Sequence, residues 1–167
     1  MNPLTKINVE NPEAENVPAA PPKKNRRHDN RVAAMQFLYS WESQRHGDLV
    51  TALFDFFSEQ EQPRDYYSFA EELIHGVIKD VDLIDEVVKR FTENWSFERI
   101  AKVDLAILRL AIFELMRRND IPPIVTINEA VDIAKSFSTD ESKRFVNGIL
   151  DRYKGEIGRD PRKAEGA

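Results

Sequence analysis

An all-α fold is the architecture this sequence predicts, and three observations carry that prediction. Leu, Ile, Ala, Glu and Lys dominate the middle and end of the chain, while glycine is scarce, at 6 of 167 residues. Such side chains lose little rotamer freedom in a helix. Apolar residues recur at helical spacing from about Asn30 onward, and no strand alternation or hairpin dipeptide competes with them. The length suits one domain with a sizeable core plus a tail.

The elements follow in order. Residues 1–22 hold five prolines, Pro3, Pro12, Pro18, Pro21 and Pro22, and few large apolar groups. That segment buries too little to offset its ordering entropy, so it is expected to be a disordered acidic tail. Helical periodicity starts near Asn30. Val32, Met35, Leu38 and Tyr39 share one face, widened by Ala33, Phe37 and Trp41, with Tyr39 and Trp41 read as mainly core. This helix is expected to end at His46-Gly47, where glycine can take a positive φ.

A second helix is expected over Leu49 to Ser58, followed by a connection from Gln60 to Pro63. A third runs from about Asp65 to Val77, with Phe69, Leu73, Ile74 and Val77 inward. A fourth carries Val81, Ile84, Val87, Val88 and Phe91 on one stripe. Ser96 suits the N-cap of a short turn. Residues 103–118 are apolar almost all round, the mark of a central buried helix, and Asn119 to Pro123 ends it. Within it Arg109 and Glu114 need partners. Two capping boxes are expected next, Thr126 with Glu129 and Ser138 with Glu141, starting helices over 127–137 and 139–154. The domain is placed at 23–157, with a flexible tail over 158–167.

Composition closes several function classes. Without cysteine there are no disulfides, thiolate nucleophiles or Cys-ligated metals, which fits a reducing cytoplasm. No apolar run is long enough for a membrane span, and no signal peptide is expected. His28, His46 and His75 lack a second ligand at metal spacing. The carboxylates, such as Glu71, Glu72, Asp80, Asp82, Asp85 and Glu86, read as a solvated acidic face. No set fills acid, base and stabiliser roles, so an enzyme is not expected, nor a cofactor or a metal.

The net charge of −5 hides an asymmetry. Residues 1–22 carry −2 and residues 23–31 carry +4, leaving −7 for the rest. Phosphate attraction is decided locally, within a Debye length of about 8 Å. The arm holds Lys23, Lys24, Arg26, Arg27 and Arg31. Guanidinium groups fork onto phosphates and release counterions, and such segments often order on RNA. A solvated charged linker accounts for the same composition equally well. Asp104 suits the positive end of its helix or a partner.

The C-terminal third resembles the NusB family of antitermination factors. The residues that carry the resemblance are Asp104-Leu105-Ala106-Ile107-Leu108-Arg109-Leu110-Ala111 with Glu114-Leu115, Pro122-Pro123, Ile127 to Phe137, and Phe145-Val146-Asn147-Gly148-Ile149-Leu150-Asp151. Arg31, Ala34, Gln36 and Leu38-Tyr39-Ser40-Trp41 agree in the first helix. The similarity covers about residues 23–155. It implies seven helices in two small bundles and a non-catalytic factor. Such a factor binds the boxA sequence of nascent RNA with NusE, a small-subunit ribosomal protein, in ribosomal RNA operons, and helps the RNA polymerase elongation complex ignore terminators. It implies RNA contacts for the arm and for Phe145, flanked by Lys143 and Arg144. Core packing beside Val146 and Ile149 is the competing role for Phe145. Glu141 matches an acidic position near the RNA, where removing the charge is expected to strengthen binding slightly, and Asp104 matches an acid facing NusE. The stretch His28-Asp29-Asn30 departs from the more arginine-rich family pattern. Homodimers occur in the family.

Two other classes fit less well. A NusB-like domain of a ribosomal RNA cytosine methyltransferase requires a following α/β domain with a cofactor loop, and none is read before Ala167. A helical protein–protein adaptor predicts that the arm is irrelevant to RNA.

Overall fold

A computed structural model describes residues 23–44 and 47–166. Among them lie seven α-helices: α1 Lys23–Ser43, α2 Leu49–Ser58, α3 Ser68–Lys79, α4 Val81–Phe91, α5 Lys102–Arg117, α6 Pro123–Phe137 and α7 Asp140–Glu156. Single 3-10 turns, Arg64–Tyr67 and Phe97–Arg99, precede α3 and α5. No strand occurs among the described residues, and none of their helices is long and apolar enough to cross a membrane.

α5 is the shared axis. It packs against α1 and α3, which also pack on each other, and against α4, α6 and α7, where α7 packs on the other two. This follows from a helix without a polar face, since Leu105 through Leu115 are all buried. Its two charged interior groups find partners. Arg109 donates to Asp85 at 2.8 Å and to Glu42 at 2.6 Å, and Glu114 receives Arg31. The apolar buried side chains form one continuous cluster running through both helix groups. α2 has the bounds expected of it, and of the stripe expected on α4, Ile84, Val87 and Val88 are buried while Val81 and Phe91 are half-buried. Asp48 caps α2 by accepting from the Thr51 amide at 3.0 Å.

Several expectations need correction. α1 begins at Lys23 rather than near Asn30. Lys and Arg are good helix formers, and their turn holds no apolar residue that could show a helical period. Asn30 fastens it: fully buried, its amide donates to Arg26 O and Tyr66 O, and its oxygen accepts from the Ala70 amide. At the other end α1 stops at Ser43. His46 lies outside the described residues, and Gly47 is not among the positive-φ glycines. Tyr39 is 44% exposed, not core.

Neither capping box forms as expected. α6 starts at Pro123, where the missing N–H costs nothing. Thr126 therefore lies one turn inside, buried, donating to Glu114 at 3.3 Å. Thr139, not Ser138, caps α7, accepting from the Ser142 amide at 3.1 Å.

The final segment is docked rather than free. Arg159 donates to the carbonyl of Leu115 in the last turn of α5, which the helix leaves unpaired, at 3.3 Å, and to those of Asn119 and Ile121 in the α5–α6 connection at 3.0 and 3.0 Å. Pro161 O accepts from the Ile124 amide at 2.9 Å, so residues 158–165 strap the α5–α6 connection. Arg159→Ala is expected to lower unfolding free energy by about 1–3 kcal/mol, because the carbonyls of the buried residues Leu115 and Ile121 lose this donor. Urea denaturation checks this, and an unmoved midpoint would make the strap decorative. Residues 1–22, expected to be disordered, lie outside the described residues.

Candidate nucleic-acid interface

The arm is the first turns of α1, and its arginines divide by burial. Arg26 and Arg27 are exposed. Arg26 donates to Tyr66 O at 3.1 Å and Asp65 O at 2.9 Å, with its guanidinium 5.0 Å from the Tyr66 ring centre. Neither carbonyl neutralises it. Arg27 lies 4.1 Å from the ring centre of Phe69 and has no ion pair among the described residues. Both cations are thus positioned by aromatic faces that leave their charge open to solvent. The side chains of Lys23 and Lys24 lie outside the described residues.

Arg31 is different, and the expectation that it reaches RNA is corrected here. It is 4% exposed and forks onto Glu114 at 2.9 and 2.8 Å, with Glu129 at 3.6 Å. Burial opposes its charge, but hydrogen bonding to Glu114 and the two carboxylates outweigh this and raise its pKa. It serves as a bolt between α1, α5 and α6. His28 reaches Glu129 at 2.8 Å on the same side. Tyr66 donates to Asp29 at 2.7 Å. Burial, then that carboxylate, pushes its hydroxyl up to about 12, so it stays a donor and holds Asp29.

A second patch surrounds the start of α7. Arg144 and Glu141 are exposed, Lys143 and Phe145 half-buried. Phe145 packs partly on the core and meets Trp95, which is 56% exposed, with ring centres 6.1 Å apart. Core packing of Phe145 therefore holds in part, and the rest of its ring stays open. Trp95 went unread because it sits in an irregular connection without periodicity. Asp104 is not a free acid. It is 5% exposed and accepts from Ser138 Oγ at 2.8 Å and Ser142 Oγ at 2.7 Å. It ties the start of α5 to the α6–α7 junction, so its carboxylate is already used within the fold.

A third feature is an open, largely apolar groove between α1, α2, α5 and α6, lined by Met35, Tyr39, Phe56, Val103 and Phe137. Tyr39 and Phe137 are each 44% exposed there.

By fold and surface this is an all-helical protein that presents arginines on aromatic faces at one end and open rings at the other. The family model described as "NusB family" matches residues 28–154. A transcription antitermination protein NusB of Thermodesulfovibrio yellowstonii is 40% identical over 141 residues, covering 78% of this chain and 93% of the relative. One of Citrifermentans bemidjiense is 44% identical over 138 residues, covering 78% and 95%. The solved structure of T. maritima NusB matches with a TM-score of 0.71 and 38% identity, over 78% of this chain and 91% of that one. A structure of the antitermination factors NusB and NusE in complex with double-stranded RNA shares the fold, with a TM-score of 0.69 and 23% identity over 79% and 98%. The chain belongs to the NusB family.

Proposed function

We propose that this protein is a non-catalytic transcription antitermination factor of the cytoplasm that grips boxA-type nascent RNA jointly with NusE. It thereby holds the RNA polymerase elongation complex processive through ribosomal RNA operons. The observation that carries the reading is the pair Arg26 and Arg27, fixed on Tyr66 and Phe69, neither in an ion pair among the described residues. Ordered cations bind phosphate without the entropy cost of ordering a loose arm. The family's named relatives support the transcriptional role.

Arg31 and Glu114 mark one end of α5, and Asp104 with Ser142 marks the other. Ten residues of helix separate these two ends by about 15 Å along α5, and we place one extended single strand on the way from the arm to Phe145. Lys143 and Arg144 then hold phosphates at the far end. The groove around Tyr39 and Phe137 is where we place NusE, in preference to a second copy of this chain. Asp104 contributes by fixing the adjacent junction.

The test is a boxA RNA titration of the NusE-bound protein across a salt series. Arg26→Ala with Arg27→Ala is expected to weaken binding roughly ten-fold and to flatten the salt dependence by about 1.4, at about 0.7 per single-strand phosphate contact. An unchanged affinity and slope would remove the arm from the mechanism.

A further inference from the structure

The connection between α4 and α5 turns one large ring outward while anchoring its neighbours. Ile100 is buried and Phe97 packs on the core. Thr92 holds the entry by donating to Val88 O at 2.9 Å, and the Trp95 amide donates to Thr92 O at 2.8 Å. Trp95 nonetheless stands 56% exposed. A lone surface tryptophan needs no explanation, but this one leans toward Phe145 with their ring planes at 48°. The two rings form the walls of a V.

The cleft they enclose holds about 210 Å³. That is below the roughly 300–1,000 Å³ of ordinary small-molecule and cofactor sites, and it suits one flat group. Of its lining residues Ile100 and Asp104 are buried and form the floor. Both oxygens of Asp104 are already taken by serine hydroxyls, so the floor does not call for a cation. Arg99 and Glu141 stand on the rim, and neither has an ion pair among the described residues. Lys143 and Arg144 follow on α7. Open rings beside cations match a base flanked by phosphates, since stacking tolerates any base and the cations take the backbone.

We infer that Trp95 and Phe145 form a receptacle for one unstacked nucleobase of single-stranded RNA, with Arg99, Lys143 and Arg144 on its flanking phosphates. The inference rests on the RNA-binding reading above and adds Trp95 and Arg99 to it.

The experiment uses the full chain with NusE and a 12-nucleotide boxA-type RNA, together with a series of that RNA carrying one abasic site each. Trp95→Ala is expected to weaken binding roughly ten-fold with an unchanged salt slope, and Trp95→Phe to restore most of it. One abasic position should cost the parent protein a similar factor and cost Trp95→Ala nothing further. The chain has two tryptophans, so in Trp41→Phe the remaining fluorescence reports Trp95 and should be quenched by the intact RNA, less by that abasic one. Trp95→Ala binding within two-fold of the parent, while the Arg26, Arg27 double variant stays weak, would overturn the receptacle and leave the RNA-binding reading intact. A parent protein that binds no RNA would sink both, before any variant is compared. If Trp95→Ala loses NusE while the lone protein keeps its RNA affinity, the cleft takes a protein side chain and the inference fails.

Discussion

Replacing Glu114 by alanine is expected to cost about 3–5 kcal/mol of folding free energy, the scale for breaking a buried ion pair from one side. Glu114 is 2% exposed and Arg31 4%. Their fork at 2.9 and 2.8 Å is backed by Thr126 at 3.3 Å. Without Glu114 the guanidinium keeps, among the described residues, one carboxylate, Glu129 at 3.6 Å, and the Phe69 ring at 5.3 Å, and must bear most of its desolvation uncompensated. Replacing both partners by methionine removes the stranded charge along with the pair, so it should recover much of the loss. Chemical denaturation of the parent, the single and the double variant checks this. A loss below 1 kcal/mol for Glu114→Ala would mean that solvent reaches the pair. The same logic separates Arg31 from its neighbours: Arg31→Ala should act on stability, whereas Arg26 and Arg27 act on RNA.

That separation shows where the sequence stops being legible. Helical periodicity locates elements well when one face alone is apolar. The middle of the α4 stripe, Ile84, Val87 and Val88, is inward as read, with Val81 and Phe91 half-buried at its ends, and the unbroken apolar surface of α5 announces its central place. The need of Arg109 and Glu114 for partners is equally visible, because charges amid Leu and Ile cannot stay unpaired. What one dimension does not show is which distant group answers. Arg31 looks like one more cation in a basic run, and it is buried only because Glu114, 83 residues on, comes to meet it. Asp104 reads as an available acid until folding brings Ser138 and Ser142 onto it. Trp95 carries no pattern at all, since its role depends on Phe145 across the fold. Capping motifs mislead at Thr126 for a related reason: Pro123 starts α6 a turn earlier, and the threonine is used for Glu114 instead.

Gly76→Ala is expected to destabilise the protein by about 1–3 kcal/mol, against the ordinary helix preference. In an exposed helix interior, alanine gains roughly 0.5–1 kcal/mol over glycine. Here a Cβ would lie 2.0, 2.3 and 2.7 Å from three carbons of the Phe113 ring. Phe113 is 8% exposed on α5, so the ring has little room to withdraw, and overpacking outweighs propensity. The strain should spread along α3, which also carries Phe69, the face on which Arg27 rests. RNA affinity of the folded variant should therefore fall by a smaller factor than for the Arg26, Arg27 double change. Phe113→Leu in the same chain frees space at that contact and should return part of the lost stability, so the two substitutions should be non-additive. A Gly76→Ala midpoint at or above that of the parent would show that α3 and α5 separate at little cost, and that the glycine does not set how closely they pack.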